Sequence, residues 1–319
     1  MTEKLENRSM LARTLSAPLA ALFLASTFMG VGLMNTKALA EQKGVGIKPE
    51  HQLKTSAQIS SKAVEKEKKK AKEVANNLDQ KAIKAVADTY KVLDLLKQKK
   101  SKQALELLKK VIGEMEIILA ANKKAALIPI NSYQVVVDVD LSPKEIRSRI
   151  DDVREKLNAG DIQGARQILD TLQSEIDVII EQLPLGTYPD AMKLASKYII
   201  DGKIDEAKSV LSIALNSMVL KTIVIPLPLV RAADLIKAAS NTAKIDKTQA
   251  LKYLDEAKKQ LKVAELLGYG KKDSKTYNDL EKRIESIQKE IKGQNKAEKM
   301  FEELINKLKE FRKHIGGKK

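Results

Sequence analysis

The sequence predicts an all-α protein: antiparallel helical hairpins forming a bundle, with one or two short β segments and a C-terminal coiled-coil-like helical hairpin. Three observations carry this. A segment recurs, reading Gly160-Asp161-Ile162-Gln163-Gly164-Ala165-Arg166-Gln167-Ile168-Leu169 and again Gly202-Lys203-Ile204-Asp205-Glu206-Ala207-Lys208-Ser209-Val210-Leu211. Looser copies of its Ala-x-x-apolar-Leu core lie at Ala104–Leu108 and Ala250–Leu254, and the spacing from Ala165 to Ala207 to Ala250 is 42 and then 43 residues. That length suits two helices and a connection. Next, apolar residues recur at helical period along most of the chain. Finally, aromatic residues make up 3% of the chain and there is no Trp. The core must therefore interlock Leu, Ile, Val and Ala, a palette suited to close helix packing.

The first 40 residues are set aside as a signal peptide. Arg8 and Arg13 precede an apolar run from about Leu15 to Leu33, and Ala38-Leu39-Ala40 offers a small-x-small cleavage site before Glu41. An uncleaved anchor is the competing reading, since the run approaches spanning length. Export places the mature protein in the periplasm, and the absence of cysteine fits that compartment. The formal charge of +16 loses four basic and two acidic residues with this segment.

Residues 41–76 are expected to be a mobile leader followed by a lysine-rich helical arm, whose stripe of Ala63, Val64 and Ala71 is thin. Its charges read as a solvated face with Glu-Lys pairs at helical spacing rather than a nucleic-acid surface. Residues 77–270 form the core. Leu78, Ile83, Val86, Tyr90, Leu93 and Leu96 define one helix, and Ser101 is expected to cap the next, which extends to about Asn122. Consecutive β-branched residues predict a short strand at Val135–Val139. Ser142-Pro143-Lys144-Glu145 is a capping box with proline at the first helical position. It opens a helix ending at Gly160. A continuous helix is expected from Ile162 to Gln182, broken by Leu183-Pro184-Leu185-Gly186. Thr187-Tyr188-Pro189-Asp190 then starts a hairpin that turns at Gly202 and runs to about Lys221. Thr222–Ile225 is a second β segment, and a third hairpin covers Leu229–Leu267, turning near Ile245-Asp246. Residues 271–319 carry two apolar series, Leu280-Ile284-Ile287-Ile291 and Phe301-Leu304-Leu308-Phe311-Ile315, on either side of Gly293-Gln294-Asn295. Helix content should exceed about 65%. The tail hairpin is narrow and should dock on the bundle or on another copy; self-association through it, giving a homo-oligomer, is the expectation.

Chemistry is sparse. Only His51 and His314 are present and cysteine is absent, so neither a zinc cluster nor a Cys-His pair can be built. Nucleotide-binding and hydrolase motifs are missing, and no catalytic residue, metal or cofactor is expected. Asp138/Asp140 and Asp151-Asp152 are paired carboxylates, read as favourable neighbours of a helix dipole. The proline-stiffened apolar connections stand out more. If each follows the second helix of a hairpin, then Ile128-Pro129-Ile130, Leu183-Pro184-Leu185, Pro226-Leu227-Pro228 and Gly268-Tyr269 gather at one bundle end. Tyr188 and Arg231 lie beside them as polar handles. This patch is the candidate binding site, for unfolded or apolar polypeptide or for a small hydrophobic ligand. In the plainer alternative the same residues plug the bundle end.

Leu183-Pro184-Leu185-Gly186-Thr187-Tyr188-Pro189 and Ile225-Pro226-Leu227-Pro228-Leu229-Val230-Arg231-Ala232 resemble the YfdX family of exported bacterial proteins. Asp201-Gly202-Lys203-Ile204-Asp205-Glu206-Ala207-Lys208 and Val137-Asp138-Val139 fit the same pattern in the same order. The resemblance covers roughly Asn77 to Leu267. It implies a helical, bundle-like periplasmic protein associated with stress and acid resistance, without established catalytic residues. The lysine-rich arm and the tail depart from that family. Taken together, the sequence leads to the expectation of a non-enzymatic, chaperone-like periplasmic binding protein, with a small-ligand or envelope-surface module as the alternative.

Overall fold

The computed structural model describes residues 53–76, 78–123, 125–270 and 274–316. The signal peptide and leader expected before Leu53 lie outside the described residues. Of the described residues 70% are helical, in 11 helices, with a small three-stranded sheet among them.

α1 (Ser56–Ala75) starts on a capping box in which the Thr55 side chain accepts from Gln58 N–H. Three helix-helix-strand units follow: α2 (Gln80–Lys97), α3 (Ser101–Ala121) and β1 (Leu127–Val137); α4 (Pro143–Asn158), α5 (Ile162–Leu169) and β2 (Glu175–Pro184); α6 (Tyr188–Ile200), α7 (Ile204–Leu215) and β3 (Val219–Pro226). Two hairpins without strands complete the chain, α8 (Leu227–Thr242) with α9 (Lys247–Leu266) and α10 (Ser274–Lys292) with α11 (Glu298–Gly316). The repeat read in the sequence is thus real. Its four alanines, Ala104, Ala165, Ala207 and Ala250, open the second helix of successive hairpins and are all buried, the small side chain letting the two helices approach. Gly160 and Gly202 turn two of the hairpins at φ 75° and 74°, a left-handed conformation that costs glycine little.

The connection after each hairpin is where expectation and structure part. Ile162–Gln182 is not one helix. α5 stops at Leu169, because Glu175–Pro184 is claimed by a sheet. The run Ile176, Val178, Ile179 and Ile180 is β-branched, like the two segments expected to be strands, and it forms the central strand in the order β1-β2-β3, antiparallel throughout. β1 begins eight residues earlier than expected. Ile128-Pro129-Ile130 is part of it, with a register irregularity between Pro129 and Asn131 that accommodates the proline. The helix before β3 likewise ends at Leu215 instead of running to about Lys221. The Ser142–Glu145 capping box is present, with Ser142 Oγ accepting from Glu145 N–H at 3.3 Å and Glu145 Oε2 accepting from Ser142 N–H at 2.7 Å. Ser101 and Thr187 do not act as expected: neither α3 nor α6 has a side-chain cap bond.

Two cores result. α2 and α3 pack against α6 and α7 around Leu108, Met115, Tyr188, Met192 and Leu211. α8 and α9 pack against α10 and α11 around Leu235, Tyr253, Leu254, Leu280 and Ile284. The charged face of α1 carries the expected Glu-Lys pairs, Glu65–Lys68 at 2.8 Å and Glu67–Lys70 at 3.3 Å, and its thin stripe is buried. Val64 and Ala71 cover Ile176, Val178 and Leu227, so the arm roofs one sheet face and also lies along α8. The apolar series of the tail are fully engaged by α8 and α9 of the same chain. That places the hairpin on its own bundle, the first of the two docking sites expected for it.

Candidate functional site

The eight candidate residues do not form one patch. Leu183, Leu185 and Tyr188 are buried in the first core with Ile128 and Ile130, while Pro184 is half-buried at the end of β2 opposite Leu127. Pro226 pairs with Glu175 at the other end of β2, roughly 30 Å away at strand rise. Leu227 packs on Ile176 and Val178, and Pro228 is buried in the first turn of α8. Arg231 is half-buried. The reason is topological. The first three hairpins each hand over to a strand, and successive strands are antiparallel. Pro184 at the end of β2 and Pro226 at the end of β3 therefore fall at opposite ends of the sheet, while Pro129 near the start of β1 lies at the Pro184 end. Ile128–Ile130 and Leu183–Leu185 meet at one end. Pro226–Pro228 and Tyr269 meet at the other.

At the first end a polar pair sits inside the apolar core. The Tyr188 hydroxyl donates to Thr89 Oγ1 at 2.8 Å, and Thr89 in turn donates to the Ala85 carbonyl at 2.8 Å. Burial pushes the Tyr188 phenol up to about 12, with the Thr89 bond acting the other way. A neutral tyrosine anchored in this way through Thr89 ties the start of α6 to α2. It presents no group to solvent.

At the second end a knot of polar groups ties four segments. Ser174, fully buried, donates its Oγ–H to Asp138 Oδ1 at 2.8 Å and its N–H to the Tyr269 hydroxyl at 2.9 Å. Its carbonyl accepts from Leu227 N–H at 2.9 Å. Arg231 closes the knot by an ion pair with the other oxygen of Asp138. Burial raises the Tyr269 phenol well above its ordinary range. Asp138 thus holds the end of β1 to α8 instead of neighbouring a helix start as expected. Sequence reading had singled out Asp138, Tyr269 and Arg231 separately and had no means to join them through Ser174.

What the sequence did not point to is the open sheet. Tyr133, Val135 and Leu220 share the face away from α1 and are exposed by 50%, 43% and 64%. β1 is an edge strand. From Ser132 to Val137, among the described residues, its backbone hydrogen-bonds only to β2. That stretch, Ser-Tyr-Gln-Val-Val-Val, has none of the charges, prolines or glycines that usually protect an edge. The β3 edge differs: it carries exposed Lys221 and lies against α11.

Architecture and site together define a class: a scaffold of helical hairpins threaded by a small sheet, with structural polar knots and an open edge strand. Residues 85–224 match the model of the YfdX protein family, so the resemblance seen in the motifs holds from α2 to β3. The match is shorter than the expected Asn77–Leu267, and the motif Ile225–Ala232 falls outside it. Among solved structures the chain is similar to YfdX of Salmonella Typhi, at 20% identity over 48% of this chain and 95% of that one, with a TM-score of 0.33. No curated protein matches. Among the described residues no helix is long and apolar enough to cross a membrane.

Proposed function

We propose that the protein is a non-enzymatic, exported binding protein with a chaperone-like role in periplasmic stress, holding exposed apolar polypeptide. The observation that carries this is the unprotected β1 edge with Tyr133, Val135 and Val136 exposed on it. An edge strand offers a row of backbone donors and acceptors to any extended chain, and flanking apolar side chains favour apolar segments over polar ones. The candidate patch built on the proline connections is replaced by this edge, since its leucines are core. The family match, the signal-like N terminus and the shortage of catalytic side chains support the reading. In the test, purified protein is mixed with a heat-stressed client and light scattering is followed. Suppression near stoichiometric ratio is expected, and Val135→Lys with Val136→Lys should abolish it while circular dichroism stays unchanged. Undiminished aggregation with the wild-type protein, or full activity in the lysine variant, contradicts the proposal.

A further inference from the structure

A polar cleft of about 670 Å³ opens between α1, the loop after β1, and the α8–α9 pair. Such a volume suits a small organic molecule. One face of α1 brings Ser56, Ser60 and Ser61 to its wall, on successive turns, and among the described residues their hydroxyls have no hydrogen-bond partner. Opposite them, Gln260 of α9 turns its amide nitrogen to Glu256 at 3.4 Å and leaves Oε1 buried without a donor. A buried carbonyl in that condition is unfavourable until water or a ligand supplies a proton.

The charges sharpen the class of ligand. Both cations on the wall are engaged, Arg231 by Asp138 and Lys68 by Glu65 at 2.8 Å. Glu256 is engaged as well, by Lys259 at 3.1 Å outside the wall. Of the charged groups on the wall, Asp140 alone has no ion pair to a described residue. What remains for a ligand is one free carboxylate, one orphaned carbonyl and three hydroxyls, an acceptor-rich set on a chain of formal charge +16. Its complement is donor-rich and singly positive. An anion would meet Asp140 with no free cation to offset it, and an apolar ligand would strand the polar wall.

We propose that this cleft binds a small primary amine bearing hydroxyl groups, the chemistry of an amino sugar. Its ammonium sits at Asp140 and its hydroxyl hydrogens reach Gln260 Oε1 and the α1 serines. The site is separate from the β1 edge and stands whether or not the protein holds polypeptide.

The test is calorimetric titration of the purified protein with glucosamine in mildly acidic buffer, with glucose and sulfate as controls. Saturable glucosamine binding is expected, weakened at least about tenfold in Asp140→Asn and in Gln260→Leu. Glucose and sulfate should give no heat beyond dilution. Asp140 is exposed and outside every helix and strand, so its variant keeps the fold and decides the matter if the Gln260 variant does not. Absence of glucosamine binding, equal binding of glucose, binding of sulfate instead, or unchanged affinity in Asp140→Asn would each overturn the proposal.

Discussion

The two cores of this molecule solve the same problem differently. In the first, the hairpins α2–α3 and α6–α7 are far apart in sequence and cover each other, with a buried Tyr188–Thr89 pair setting their register. In the second, the adjacent hairpins α8–α9 and α10–α11 close on each other through aliphatic stripes and the Tyr277–Phe311 edge-to-face contact at 5.1 Å and 89°. A single hairpin hides one stripe and leaves another bare. The family-matched stretch holds both partners of its core, whereas α8–α9 follows it and depends on the tail. The tail is accordingly half of a core rather than an appendage, despite lying beyond the matched residues. The hairpin α4–α5 has no such partner: it keeps only the small cluster of Ile146, Leu172 and Val263, and Leu157, Ile162 and Leu169 stay exposed.

Four perturbations would break or sharpen this contrast. Removing residues 271–319 should do the most damage, exposing Leu235, Leu254 and Leu261 together and abolishing cooperative thermal unfolding of the second core. A folded, merely smaller assembly by light scattering would restore the idea of a separate tail. Next, Ile284→Ala should cost about 2–5 kcal/mol in denaturant unfolding, the range for a fully buried aliphatic truncation. Leu169→Ala, on the half-exposed α5, should cost under about 1 kcal/mol in the same assay. Third, Tyr188→Phe should cost about 0.5–1.5 kcal/mol, because it removes one buried hydrogen bond and no volume. Its effect should appear in the first core by amide exchange and not in the second.

The smallest effect concerns pH. Lys307 first, and then Arg283, hold the Asp279 carboxyl below its ordinary value, and Lys307 reaches it from α11 to link the two tail helices. A carboxylate whose pKa is lowered on folding stabilises the folded state above its unfolded pKa. That contribution is lost as pH falls through the lower folded value. Asp279 is partly exposed, so screening keeps the contribution under about 1 kcal/mol. Asp279→Asn should lower the melting temperature slightly at neutral pH and converge with wild type in strong acid. A constant gap across the titration would mean the side chain acts through packing alone.

Much of the architecture was legible because helical hairpins are local. Ala-x-x-apolar-Leu with a preceding glycine announces a turn and a close helix contact, and the capping box at Ser142 marks a start within a few residues. The sheet was harder to read. Val135 and Thr222 to Ile225 were seen as extended, but Ile176–Ile180 was absorbed into a helix because the periodic stripe of α5 ran straight into it. That one error moved the candidate site. With a helix there, Pro184 and Pro226 fall at one end; with a strand, antiparallel pairing sends them to opposite ends. The Asp138–Ser174–Tyr269–Arg231 knot spans segments more than 90 residues apart, and no local signal reports such a meeting. Nor does local sequence tell an edge strand from a central one, which depends on pairing alone.

The most direct test of the functional account is hydrogen exchange read by mass spectrometry, on the protein with and without an unfolded client. The account predicts new protection confined to Ser132–Val137 on the β1 edge. The proline connections at 183–188 and 226–231, whose Leu183, Leu185, Tyr188, Leu227 and Leu229 are already buried, should show no change. Protection gained instead at those proline connections, with β1 unaltered, would contradict it.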